Sequence, residues 1–199
     1  MTTRDVTLLF AMLAVVAQAA VLVGVVVAVG ARWSGRLAGW QDSLVDLFGP
    51  VALQLGLGVA LVATLGSLYL SEVANFPPCR LCWYQRIAMY PLVPVLAVAI
   101  RRRDAGVRFY ALPLALIGGA ISAYHVVLER FPSLESGVCE VANPCTLIWV
   151  RRFGYLTIPA MALSAFALLT VLLLAAGADE RAAAAAGEAE NEPDELEAA

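Results

Sequence analysis

The sequence predicts an all-α membrane protein, and three observations predict it. Of its 199 residues, 61% are hydrophobic and 15% charged, against about 45–50% and roughly 25% in soluble domains. The apolar residues collect into five runs, approximately Thr7–Gly30, Val51–Leu70, Trp83–Ile100, Tyr110–Leu128 and Tyr155–Ala176. At about 1.5 Å per helical residue, each run is of the length needed to cross a hydrocarbon core about 30 Å thick. Across all five runs the one formal charge is Arg86. A mean hydropathy of +0.81 agrees with this and excludes a soluble globular domain.

The first run reads as a retained span. Its apolar stretch exceeds the roughly 7–15 residues of a secretory signal, the alternative reading, and Asp5 follows Arg4. Between the first two runs, Trp33, Leu37, Trp40, Leu44, Leu47 and Phe48 recur at helical spacing, with Arg36, Gln41, Asp42 and Asp46 largely between them. That pattern predicts a short helix in the headgroup region; a linker with its tryptophans in the interfacial belt is the alternative.

Past Gly177 the chain turns Ala- and Glu-rich. Eight of the sixteen carboxylates lie from Asp179 onward with Arg181 the single cation among them, so the low pI of 5.1 describes the tail. A segment of this composition buries too little apolar surface to offset its ordering entropy, and disorder is expected over 177–199. The body of the chain is mildly basic, without the basic stripe that nucleic acid would require.

The four cysteines fall as two close pairs, Cys79 with Cys82 and Cys139 with Cys145, separated by two crossings. Both pairs therefore emerge at one membrane face. The connection Arg101–Arg108 holds four arginines in eight residues, the mark of a cytoplasmic loop, and turns the cysteines outward. Over the whole chain the arginine bias is nearly even, so the orientation rests on that loop. An outward N-terminus and a cytoplasmic tail follow.

Cys79-Arg80-Leu81-Cys82 is a C-x-x-C between Pro78 and the start of the third run. A thiol at a helix N-terminus or beside a cation has a lowered pKa, and the thiolate is the species that exchanges. Cys82 is placed for this, with Arg86 one turn deeper on the same helical face. Arg86 could also hydrogen-bond a carbonyl or developing oxyanion on a lipid-soluble acceptor; snorkelling to the headgroups is the structural alternative. His125 lies about one turn below the end of the fourth run, at a depth like that of Arg86, where a neutral imidazole could move a proton. Its structural alternative is a hydrogen-bonded packing histidine.

Cys139 and Cys145 sit in the polar connection Glu129–Gly154 with Pro132, Gly137, Asn143 and Pro144, which reads as an exposed loop. Taken alone, that pair is best read as a structural clip. Two pairs at one surface suggest instead a relay by thiol–disulfide exchange. A four-thiolate zinc site is the remaining rival, although a C-x5-C is wider than a usual zinc knuckle. Gly56, Gly58, Gly118, Gly119 and Ser122 are read as close-packing positions.

Pro78-Cys79-Arg80-Leu81-Cys82-Trp83-Tyr84-Gln85-Arg86, followed by Met89-Tyr90-Pro91, closely resembles the DsbB family of disulfide-bond-formation membrane proteins, particularly its short-loop, BdbC-like members. The second pair, followed by Trp149 and Phe153-Gly154-Tyr155-Leu156-Thr157-Ile158-Pro159, is similar to that family's last loop and helix. Vitamin K epoxide reductase-like enzymes place their loop cysteines before the C-x-x-C, an order opposite to this one.

The resemblance implies a DsbB-like four-helix redox domain over 51–176, preceded by an additional transmembrane helix and interfacial segment in 1–50 and followed by the acidic tail. It implies a multi-pass protein of the cytoplasmic membrane that reoxidises a DsbA-like thioredoxin-fold partner and passes electrons to menaquinone or ubiquinone. Carried over by position, Cys139 would form the mixed disulfide, Cys145 would exchange with Cys79, and Cys82 would face the quinone in a pocket bounded by Arg86 and His125. Only five residues separate Cys139 from Cys145, where some relatives have a long segment, and the first span is additional to the usual four. No catalytic role is expected of that span.

Overall fold

The computed structural model of the protein describes residues 2–104, 106–135, 137–140 and 142–191. Among the described residues, five helical stretches are long and apolar enough to cross a membrane: Thr3–Gly30, Gly35–Val73, Arg80–Arg102, Arg108–Arg130 and Ile158–Gly187. The protein is an all-α, multi-pass membrane protein.

Helix α1 (Thr3–Gly30) opens on a capping box, in which Thr2 Oγ1 accepts the Asp5 N–H and the Asp5 carboxylate accepts the Thr2 N–H at 2.9 Å. Helix α2 (Gly35–Phe48) has no buried residue, and Trp40 on it and Trp33 just before it are exposed. A short 3-10 turn at Gly49–Val51 leads into α3 (Ala52–Leu68), which ends in a π-helical turn at Tyr69–Val73. The third apolar run is two helices, α4 (Arg80–Met89) and α5 (Leu92–Arg102). Pro91 and Pro94 lack the N–H groups that would carry the ladder across Tyr90, so the run breaks there. Helix α6 (Arg108–Arg130) completes the fourth span, and α7 (Ile158–Asn191) the fifth.

Helix α7 is the central post, in contact with α1, α3 and α6. Its Phe166, Leu169 and Leu173 join Leu92 and Leu96 of α5 and Ala111 and Ala115 of α6 in the main core. In lipid, apolar surface alone does not drive helices together, so close packing must. Gly118 meets that need: a Cβ there would run into the Phe166 ring. Ser122, fully buried, returns its hydroxyl to the Gly118 carbonyl at 2.8 Å. Gly58 instead faces open space beside α3.

Helix α1 is docked by small residues, with Ala11 and Ala14 against Leu156 and Ala160, and by polar ties. Gln18 Nε2 donates to Ser164 Oγ at 2.9 Å, and Tyr155 Oη donates to Gln18 Oε1 at 2.7 Å. The loop before α7 forms a two-residue hairpin, β1 (Arg151–Arg152) with β2 (Leu156–Thr157). From β1, Arg152 Nη2 donates to Thr7 Oγ1 at 2.6 Å and to the Arg4 carbonyl.

One expectation is corrected. The tail does not lose its structure at Gly177, because α7 continues to Asn191. An existing helix propagates readily into alanine, the best helix former, and the Ala182–Ala186 run extends it. Arg108 Nη1 holds this extension by donating to the Gly177 carbonyl at 2.7 Å and facing the Glu180 carboxylate at 3.8 Å. Disorder expected for 192–199 falls outside the described residues.

Candidate functional site: a thiol relay beside an apolar cavity

Cys79 is the N-cap of α4. Prolines at 77 and 78 delay the helix until just after them, and Cys79 takes an extended backbone with its Sγ accepting the Cys82 N–H at 3.3 Å. The helix therefore starts earlier than the sequence suggested, and the thiol at its positive end is Cys79, not Cys82. Both are thiols here, with Sγ atoms 2.8 Å apart. Cys79 is held well below the ordinary thiol range, chiefly by the Cys82 thiol donating to it and then by His125, against the opposing effect of burial.

His125, on α6, is 3% exposed. Its Nε2 lies 3.0 Å from the Cys145 carbonyl and 3.8 Å from Cys79 Sγ, while Nδ1 lies 3.1 Å from Gln85 Nε2. A carbonyl only accepts, so Nε2 carries the proton and Nδ1 accepts from the Gln85 amide. One N–H thus faces both the Cys79 sulfur and the backbone of Cys145.

Cys139 and Cys145 are joined by a disulfide. The loop that carries them is exposed in part only: Cys145 is 1% exposed, packed in one cluster with Cys79 and Leu128. Two contacts draw the loop onto α4. Asn143 Nδ2 donates to the Pro78 carbonyl at 3.1 Å, and the Glu140 carboxylate accepts from Arg80 Nη2 at 2.9 Å. Both cysteine pairs thus meet at one end of the bundle, as the count of crossings required.

Arg86 does not snorkel. It is 8% exposed, donates from Nε to Ser67 Oγ at 2.9 Å and from Nη2 to the Ser67 carbonyl at 3.0 Å, and lies over the Trp83 ring. Tyr90 Oη also donates to Ser67 Oγ, at 3.3 Å. A charge inside a membrane protein needs such partners. The guanidinium bonds Ser67 rather than Cys82.

Two cavities flank the C-x-x-C. The larger, about 530 Å³, runs between α1, α3, α4 and α7 and is lined by apolar side chains except near Cys82, Gln85, Arg86 and Ser67 and at the far end, Gln54. The smaller, about 30 Å³, is bordered by Cys79, Cys82, His125, Glu129 and Cys145. Cys82 borders both. His125 does not line the large cavity, a correction to the pocket expected from sequence. Its ring is turned away by Gln85 and Cys145 and belongs to the thiol side.

The four-thiolate zinc site is not what these residues assemble, since Cys139 and Cys145 bond to each other. Cys79, Cys82 and His125 do bring three ligand atoms within 4.8 Å of one another. Ser67, Gln85, Tyr90 and Glu129 were missed from sequence. Of these, Gln85 and Tyr90 carried a signal, since both stand inside the motifs that resemble the family.

A family profile described as "Disulfide bond formation protein DsbB" matches residues 49–176. The chain belongs to the DsbB family. All four cysteines, Arg86 and His125 lie inside the matched region, whereas α1 and α2 precede it. The chain is 47% identical over 117 residues to disulfide bond formation protein C of Bacillus subtilis (strain 168), covering 58% of this chain and 84% of that one. It is 43% identical over 115 residues to probable disulfide formation protein C 2 of Bacillus anthracis, covering 58% and 82%. It is also 43% identical over 116 residues to probable disulfide formation protein C of Halalkalibacterium halodurans, covering 58% and 85%. No solved structure matches it. The protein is a DsbB-like disulfide formation protein of the membrane.

Proposed function

We propose that this DsbB-family chain oxidises the dithiol of a DsbA-like thioredoxin-fold protein and passes two electrons and two protons to a membrane quinone, menaquinone or ubiquinone. The carrying observation is the position of Cys82, whose residue borders the thiol cluster on one side and the large apolar cavity with Arg86 on the other.

In this reading the partner's thiolate attacks Cys139 Sγ, the less buried sulfur of the loop pair, and breaks the Cys139–Cys145 bond. The partner's second thiolate resolves that mixed disulfide and leaves the partner oxidised and both loop cysteines reduced. The Cys145 thiolate then attacks Cys79 of an oxidised Cys79–Cys82 pair, releasing the Cys82 thiolate. Cys139 resolves the Cys145–Cys79 bond, restoring its own disulfide and leaving a Cys79 thiolate beside His125 Nε2. A bound quinone supplies the final two-electron, two-proton sink, leaving as quinol as the Cys79–Cys82 disulfide re-forms. The residues present fit such a group: the cavity is large and apolar, and at its Cys82 end the Arg86 guanidinium has N–H donors beyond the two that Ser67 takes. In this reading the cysteine end faces away from the cytoplasm, opposite the Arg101–Arg108 loop.

The test is thiol counting on the detergent-purified full chain after a reduced DsbA-like protein is added, with and without quinone. Quinone-dependent loss of all four free thiols is expected; in Cys145→Ser the free Cys139 thiolate should attack the disulfide of an oxidised DsbA-like protein, releasing one partner thiolate and leaving a trapped mixed disulfide. Loop cysteines that never react with the partner would leave a non-catalytic membrane protein clipped by structural disulfides. One equivalent of bound zinc, lost with Cys79 or Cys82, would instead favour a metal site.

A further inference from the structure

Helix α1 lies outside the matched family region, yet it builds part of the large cavity. Phe10, Leu13, Ala14 and Ala17, at helical spacings of three, one and three, form one face of α1 along it. Phe10 stands over Gly66 of α3, so close that a Cβ on that glycine would press on the ring, and Gly66 is one residue from Ser67. Helix α1 is also fastened to the rest of the bundle where it lines the cavity, through Thr7 to Arg152 and through Gln18 to Ser164 and Tyr155.

The cavity is long as well as apolar. Its lining on α3 and the π-helical turn that follows runs from Gln54 to Leu70, a rise of about 24 Å of helix. The Arg86 guanidinium lies near one end, and the lining in between is nearly all apolar. A polar head with a long apolar tail matches that distribution; a compact head alone would leave most of the space unfilled.

We propose that α1 is a wall of a tail channel, and that it makes this protein select prenylated quinones over tail-less ones. The assignment rests on the quinone reading above. The head would sit beside Cys82 and Arg86, and the first part of the tail would run between α1 and α3, against Phe10 and Leu13. The additional helix is then a specificity element of the acceptor site and not merely an anchor.

The full chain in detergent, with a reduced thioredoxin-fold dithiol as donor, is assayed for kcat and KM with a prenylated quinone and with the same ring lacking its tail. Leu13→Trp narrows the channel; Met12→Trp, an exposed neighbour that does not line the cavity, is the control. Leu13→Trp should raise KM for the prenylated quinone about tenfold, the scale of one lost buried side-chain contact. Its KM for the tail-less ring should stay within about twofold, and Met12→Trp should change neither value. Phe10→Ala removes volume instead of adding it and is expected to raise the prenylated KM alone. It decides the matter should the tryptophan variant fail to fold. Equal effects on both quinones, or none from Leu13→Trp and Phe10→Ala, would overturn the channel while leaving quinone reduction intact. A wild-type chain that exchanges disulfides with its donor but reduces neither quinone would overturn the quinone reading and the channel with it.

Discussion

The two sides of the Cys79–Cys82 pair are built for different chemistry. On the His125 side the space is about 30 Å³, with a buried imidazole bonded to Gln85 and to the Cys145 carbonyl and a second sulfur pair packed against Cys79. On the Arg86 side it is about 530 Å³, and apart from Ser67, Tyr90 and the guanidinium its polar groups are few. Disulfide exchange needs three sulfurs brought into line, so a tight and fixed setting serves it. A lipid-soluble acceptor must enter and leave, which takes room and an apolar wall. Two sulfurs 2.8 Å apart thus separate a rigid compartment from a roomy one.

The comparison breaks most completely at the sulfurs. Replacing Cys82 by Ser should lower quinone-dependent oxidation of the partner by a factor on the order of 10³ or more, as removal of a covalent participant does. Cys139 should still form a mixed disulfide with the partner. Stopped-flow quinol formation and a non-reducing gel check the two halves separately.

On the roomy side, Arg86→Met should lower kcat/KM for quinone by about 10–100-fold, the range for a lost charged hydrogen bond. The rate of exchange between partner and loop cysteines should hold. Arg86→Lys should recover little, because a point charge cannot bond Ser67 Oγ and its carbonyl together as the planar fork does. Equal losses in both half-reactions would erase the division between compartments.

On the tight side, the sign of the pH dependence follows from a lowered Cys79 pKa. A thiol shifted down stays ionised as pH falls below the usual value of about 8.5 and loses its thiolate only on passing the lowered value. Alkylation of Cys79 in the reduced protein should therefore persist well into acid. Removing a donor moves the midpoint up: Cys82→Ala should move it further than His125→Asn, since the Cys82 thiol is the larger cause. The reverse order, read from iodoacetamide rates across pH, would assign the leading role to the imidazole.

The smallest effect is expected at the latch. Arg80 and Glu140 are 43% and 62% exposed, and exposed ion pairs contribute about 0–1 kcal/mol. Glu140→Gln should slow transfer between the two sulfur pairs by no more than about threefold, and Asn143→Ala, which frees the Pro77 and Pro78 carbonyls, by somewhat more. Rapid quench of the reduced loop pair measures both.

Much of this was legible in the chain itself. Five spans, two cysteine pairs at one face, the charged Arg86 and the lone His125 all follow from local quantities: hydropathy over a span, parity of crossings and sequence spacing. Each is determined by residues within a few helical turns, and the bilayer leaves few alternatives once they are present. Even the split of the third span could be read from Pro91 and Pro94. What no spacing states is which way a buried group turns. Only packing chose Ser67, nineteen residues away, as the partner of Arg86, and Gln85 and the Cys145 carbonyl, forty and twenty away, as the partners of His125. Likewise only packing brought α1 to the cavity, and Arg108 to the Gly177 carbonyl. A polar side chain in an apolar interior must take whichever partner the assembled helices present to it, so its neighbours are a property of the bundle and not of the segment that bears it.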